Sequence, residues 1–293
     1  MIPRRFRLLL FGASRPVLPP PGQTAAWLPD FTDWWGGRVE QAARRIVNLD
    51  GKCWFVKYKR DPEELARDRL AGRLGRGWTN IADVRPVTAR GLANLRRAGV
   101  HLPAWAAAPL VVLVRLAQDC TPAELPCPDL DAAAAAELVF SLWIRRRDTH
   151  AANRAYTGRI PVFFDHQTAL LGEPGLADLD AFFHPGPDAG FAGRWRVEIV
   201  PPDADLTTAG VRAAGRSREL ALHPIRSRSG FEAALRTAAA NIQKQKPADW
   251  IRAARTAGFG RRRARAIVDF LAQSRADLAP ALARLLSTVY RDS

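Results

Sequence analysis

Residues 46–59 constrain the fold more than any other stretch. IVNL and KCWFVKYK, both rich in β-branched and aromatic residues, flank Asp50-Gly51. That dipeptide favours a two-residue hairpin turn because it tolerates positive φ at both central positions. Asp61-Pro62-Glu63-Glu64 follows at once and opens a helix. Proline suits the first helical turn, and the two acids suit its positive end. Leu65, Leu70 and Leu74 are available to a buried face, and Gly75 or Gly77 ends the helix. LVVLVRLA over 110–117 is a continuous apolar run short enough for a buried strand. A hairpin, a helix, a buried strand and then long helical segments specify an α+β chain.

The rest of the chain divides around a proline-punctuated stretch. Residues 1–30 are rich in proline and glycine and read as an extended arm. In DWWGGRVE, Gly36-Gly37 is a turn that either simply closes a hairpin or lets the backbone approach a ligand. ARGLANLRRAG predicts a short helix within 78–109. QDCTPAELPCPDL reads as a hinge, so residues 1–117 form one lobe, 118–130 the linker, and 131–293 a mainly helical second lobe. DAAAAAELVFSLWIRRR is a strong helix former with Asp131 near its start. RAY-TG-RIPVFFDH predicts two short strands around Thr157-Gly158, with Asp165 at the end of the second. LADLDAFF reads as helix, WRVEIV as strand and PPDADLTTAGVRAAGRS as a surface loop. From Gly230 onward the pattern is helical in three stretches, FEAALRTAAANIQKQ, PADWIRAARTAGF and RRRARAIVDFLAQSRADLAPALARLLSTVY.

Charge narrows the partners. Lysine and arginine number 44 against 29 acids, a net charge of +15, which points to polyanions: nucleotide phosphates, nucleic acid, anionic lipid or an acidic protein. RRRAR over 261–265 is either a solvated helix start or a phosphate or nucleic-acid patch. Cys53, Cys120 and Cys127 are too few and too scattered for a disulfide framework or a zinc site and are expected as reduced thiols. LLLF near the start is too short for a signal peptide's apolar core, and no run reaches the ~18 apolar residues of a membrane span. A cytoplasmic protein is expected, and the Ala/Arg-rich composition suggests a GC-rich bacterial genome.

Phosphoryl transfer needs a cation on the phosphates, a metal held by hard oxygen ligands, and a base near the acceptor hydroxyl. The chain offers these in order. Lys57 and Lys59 share one face of a strand because strand side chains alternate. Glu64 on the next helix is placed to hold a lysine by an ion pair. The strand and hinge over 110–118, including Leu116, supply an apolar slot for adenine. Asp148 and Asn153, five residues apart on one loop, can face one phosphate, with the acid at the acceptor and the amide on Mg²⁺. Asp165 can close the metal from the other side.

These residues resemble a family. D-x-H-x-x-N at 148–153 followed by a strand and F-D-H at 164–166 is similar to the atypical kinases related to HipA toxins and to bacterial phosphatidylinositol-kinase-like proteins. FVK at 55–57, the E-L-x-x-x-R-L-A-x-x-L-G helix and the later K-P-A-D-W add to the likeness, which covers roughly residues 45–280. The resemblance implies a two-lobed protein-kinase-like fold with a small β-rich N-lobe and a mainly helical C-lobe, with ATP between them. It implies Lys57 on the α/β-phosphates, Glu64 positioning it, Asp148 as base, and Asn153 and Asp165 on Mg²⁺. His150 falls where the family often has a loop histidine, structural or phosphate-facing. Gly36-Gly37 is the best match to a phosphate-binding glycine turn. The V-K pattern selects Lys57 over Lys59, and His166-Gln167 stand where a glycine often follows the metal-binding acid. The expected reaction is γ-phosphoryl transfer from ATP to a hydroxyl, most readily a protein Ser/Thr. The rivals are a small-molecule or lipid kinase, nucleotidyl transfer to protein, and a catalytically silent module binding nucleic acid or protein through its basic surface.

Overall fold

The computed structural model describes residues 41–43, 45–49, 52–82, 84–116, 120–146, 153–166, 169, 196–204, 206 and 222–289. It is a mixed α+β structure built around a five-stranded antiparallel sheet. The strands are β1 (Gln41–Ala43), β2 (Ile46–Leu49), β3 (Lys52–Tyr58), β4 (Val84–Pro86) and β5 (Val111–Arg115), in the order β1-β2-β3-β5-β4. The predicted hairpin is β2–β3, with Leu49 opposite Lys52 and Ile46 opposite Phe55. The apolar run at 110–117 is β5, a central strand with Val112 opposite Lys57. Its unbroken burial reflects cover on both faces of the sheet.

The two faces are covered differently. Val47, Leu49, Trp54, Val56, Val111 and Leu113 point to one side and pack on Leu92 and Leu95 of helix α2 (Ala89–Arg97). The opposite side carries Cys53, Phe55 and Lys57 in alternation. There Val84, Val112 and Val114 meet Leu65 of helix α1 (Pro62–Gly75) and Ile160 and Val162 of the hairpin β6 (Arg154–Thr157) and β7 (Ile160–Phe163).

Behind that hairpin lies helix α3 (Leu130–Trp143), of which every residue but Ala132 is buried. A helix apolar on all sides is a central one. It packs against α4 (Arg228–Lys244), α6 (Arg261–Ala276), α7 (Leu278–Val289), β7 and β9 (Leu222–Ile225). Strand β9 pairs in parallel with β8 (Arg196–Ile199). Helix α5 (Pro247–Ala257) packs on α1 and α6. The last predicted helical stretch is two helices, broken at Asp277. Strands β1, β4 and β9 lacked a sequence signal, being three or four residues long. Residues predicted as LADLDAFF lie outside the described residues.

The hinge expected at 118–130 falls between β5, which ends at Arg115, and α3, which begins at Leu130. Of it, Pro122–Glu124 form one 3₁₀ turn. Residues from both sides of it share one core. Leu70, Leu74 and Ile81 pack with Leu138, Phe140, Trp143 and Trp250, and Asn80 ties three segments together. The Asn80 amide donates to the carbonyls of Cys127 (2.8 Å) and Pro161 (3.2 Å), and its oxygen accepts from the Cys127 N–H (2.9 Å).

Candidate functional site: two lysines and two aspartates on one sheet face

The site forms where β3, α1 and the end of β7 meet. Strand alternation puts Lys57 and Lys59 on the face that the β6–β7 hairpin covers. That hairpin is fixed to the chain after α1 by backbone bonds from Ala82 N–H to the Phe163 carbonyl and from Phe163 N–H to the Asn80 carbonyl, both 2.8 Å. Asp165 follows two residues after β7. Its carboxylate lies 2.8 Å from Lys57 Nζ through Oδ2 and 3.3 Å from Lys59 Nζ through Oδ1. Lys59 also meets Asp68 Oδ2 of α1 at 2.6 Å. Two cations and two anions therefore close a compensated quartet.

Access differs within it. The Lys59 side chain is fully buried, whereas those of Lys57 and Asp165 are 13% and 16% exposed. Burial would push the Asp165 carboxyl up, but the two ammonium groups outweigh it and hold the acid well below its ordinary value. Burial likewise disfavours the Lys59 charge, yet Asp68 and Asp165 raise its pKa. Asp165 has φ +68°, in the left-handed region that aspartate tolerates better than most residues. Such conformations persist only where the surroundings over-determine them. Here they do: Phe164 N–H donates to the Asn153 carbonyl (3.1 Å), Arg146 Nη2 to the Phe164 carbonyl (2.8 Å), and His166 N–H to Asp68 Oδ1 (2.9 Å).

Beneath the quartet lies a sealed cluster. Glu137 of α3 pairs with Arg146, and Ser141 donates to Glu137 Oε1 at 3.2 Å. His166 Nε2 lies 3.3 Å from Arg146 Nη1 and 3.8 Å from Glu137 Oε1. Burial and the Arg146 charge lower the pKa of His166 and favour its neutral form. Nearby His223 is buried beside Phe163, and neither ring nitrogen has a hydrogen-bond partner among the described residues. Burial, Arg154 and Arg146 push its pKa well down.

The sequence-predicted residues fare unequally. Lys57 and Asp165 are brought together. Asn153 immediately precedes β6, buried and across the hairpin end from Phe164. Leu116 packs with Cys53, Phe55 and Ile46, an apolar patch on the same sheet face as Lys57. Glu64 does not hold Lys57. Its carboxylate accepts the Arg60 N–H at 2.8 Å while its own N–H donates to Asp61 Oδ1 at 2.9 Å, a reciprocal cap of the α1 N-terminus. The helix acid that meets a lysine is Asp68, one turn further along, and its partner is Lys59. Gly36, Gly37, Asp148 and His150 lie outside the described residues.

Asp68, Glu137 and Arg146 escaped the sequence reading, and His166 entered it only as the residue after Asp165. Glu137 carried a usable signal, an acid inside an Ala/Leu run, which is costly unless paired. Asp61-x-x-Glu64 also matches the reciprocal-cap spacing, which competes locally for the Glu64 carboxylate.

Comparison with known families, characterised proteins and solved structures finds no match to this chain. Among the described residues no helix is long and apolar enough to cross a membrane.

Proposed function

We propose that the chain is a two-lobed, kinase-like phosphotransferase that uses ATP and Mg²⁺ to move the γ-phosphoryl group to a hydroxyl, that of a protein serine or threonine. The observation that carries this reading is Asp165 held 2.8 Å from Lys57 and 3.3 Å from a buried Lys59, at the edge of an apolar sheet face. Asp165 and Asn153 present hard oxygen donors of the kind Mg²⁺ prefers, and both flank the β6–β7 hairpin. Bound there, the metal supplies charge neutralisation on the phosphates.

The chain's own residues divide the remaining work. Lys57, half-buried and facing the opening, exchanges its Asp165 partner for phosphate oxygens. Lys59 keeps the Asp165 loop in place and is itself fixed by Asp68, so both act as positioning residues. Leu116, Cys53 and Phe55 offer an apolar wall for adenine. Asp148 is the base that takes the acceptor proton.

The test is incubation of the purified chain and candidate protein substrates with ATP and Mg²⁺, read by intact mass. The expected product gains the mass of one phosphoryl group, and Asp165→Asn lowers its yield by about 10²–10³-fold, the range typical when a preorganised transition-state contact is lost. A gain of a whole nucleotide, or equal yield from Asp165→Asn, contradicts the proposal.

A further inference from the structure

The outer faces of α5 and α6 carry charge that the candidate site does not use. Arg252, Arg255, Arg261, Arg262 and Arg265 are all exposed within fourteen residues of chain. Some exposed or half-exposed arginines find acids: Arg67 of α1 and Arg263 of α6 share Glu63, and Arg228 of α4 meets Glu232. Arg252 pairs with Asp249 at 2.9 Å. Arg255, Arg261, Arg262 and Arg265 pair with no carboxylate among the described residues. Arg265 lies one turn from both Arg261 and Arg262, so these three crowd one face of α6.

Their position compounds the repulsion. Arg261 and Arg262 occupy the first turn of α6, the positive end of a sixteen-residue helix, with no acid beside them and no side-chain cap. The cap residue is Gly260, with φ −63°, a conformation open to any residue. A Cβ there would meet nothing within 4 Å. Packing does not demand this glycine, and it leaves the backbone of the turn open to close approach. Gly258 at φ +117° makes the turn that brings α5 and α6 side by side. At the other end the strip runs into a cleft of about 190 Å³ between α1 and α5, which Arg73, Arg76 and Arg252 line together with Asp249.

We propose that this strip binds the phosphodiester backbone of nucleic acid, without reading sequence. Arg261, Arg262 and Arg265 on one helix face, with Arg255 on the preceding helix, meet no carboxylate among the described residues and match a polyanion with regularly spaced charges, and arginine pairs bidentately with phosphate. A protein partner is less well matched, because the strip has no apolar or aromatic anchor at its centre. The exposed large hydrophobics among the described residues are Trp105 and Ile199, on other elements. A membrane surface is disfavoured for the same reason, since an interfacial helix needs an apolar face to insert. This inference is independent of the phosphotransferase reading.

The test is fluorescence anisotropy of the full chain with a labelled mixed-sequence DNA duplex and a labelled single-stranded RNA, over about 50–200 mM salt. The quadruple variant Arg255→Gln, Arg261→Gln, Arg262→Gln, Arg265→Gln is compared with Arg90→Gln, Arg97→Gln, Arg228→Gln, Arg236→Gln. The second set removes the same charge from exposed sites on α2 and α4. Thermal melting confirms that both variants fold. The wild type should bind at least one of the two probes, with affinity falling steeply with salt. The strip variant should flatten the log–log salt slope on duplex by about 3.6, for four contacts at ~0.9 each, and weaken binding at least about 30-fold, while the control set changes binding much less. Equal losses in both variants, no binding to either probe, or equally tight binding of poly-glutamate at matched salt overturns the proposal.

Discussion

Two charge clusters share the segment Phe164–His166 and differ in their access to water. The quartet of Lys57, Lys59, Asp68 and Asp165 opens to solvent at Lys57 and Asp165, whose side chains are 13% and 16% exposed. The cluster of Glu137, Arg146 and His166 is sealed, with the Glu137 and Arg146 side chains 1% exposed. Both consist of opposed charges at hydrogen-bonding distance, yet they are suited to different work. A sealed pair has no ligand to exchange with, and its charges fix the backbone around them. An open pair can trade one partner for a ligand, provided something else holds its geometry. Here the sealed cluster holds the loop, and under the proposed function the open quartet keeps the charges that a phosphate or a metal would meet.

The sharpest way to break this comparison is to remove one member of the sealed pair. Glu137→Ala leaves the Arg146 guanidinium buried without its carboxylate and should cost about 3–5 kcal/mol, read by urea denaturation. A loss below about 1 kcal/mol would show that the cluster does not hold the fold.

Next comes pH. His166 and His223 both have lowered pKa values in the folded chain, through burial and neighbouring arginines. Between the folded value and the unfolded value near 6.5, the unfolded chain binds more protons, so stability rises with pH in that window and falls as pH drops through it. One such proton sets a slope of about 1.4 kcal/mol per pH unit. His223→Leu should remove its share of the slope while leaving stability at pH 8 nearly unchanged or improved. The quartet behaves differently. Asp68 and Asp165 have lowered values, so their contribution is present above the ordinary carboxylate range and is lost only in stronger acid. An unaltered acid limb in His223→Leu, followed by chemical denaturation, would remove that histidine from the account.

The smallest effect separates the two helix acids. Glu64→Gln weakens a cap and should cost less than about 1 kcal/mol. A much larger loss in the same denaturation series would mean that Glu64 carries more than the α1 N-terminus.

How much of this was legible depended on the range over which each residue acts. The hairpin, α1, β5 and the β6–β7 pair were readable because turn dipeptides, caps and short apolar runs are local. Lys57, Lys59 and Asp165 were readable for the same reason, as strand positions of fixed facing. Glu64 meets no lysine here because Arg60 engages its carboxylate locally, through the backbone N–H at 2.8 Å and the guanidinium at 4.0 Å. Asp68 could not be chosen over Glu64 from spacing alone, since both lie on one helix and only the packing of α1 on the sheet decides which reaches β3. Glu137 and Arg146 meet across the turn that ends α3, and their role becomes visible only once His166 is brought 3.3 Å from Arg146.

The most direct test of the central claim is the affinity for Mg²⁺–ATP, by titration calorimetry, of the wild type, Lys57→Ala and Glu64→Gln. Phosphate exchange at Lys57 predicts measurable binding by the wild type, at least about 10-fold weaker binding by Lys57→Ala, as expected for loss of one charge-assisted contact, and near-wild-type binding by Glu64→Gln. No binding by the wild type, or equal affinity in wild type and Lys57→Ala, would contradict it.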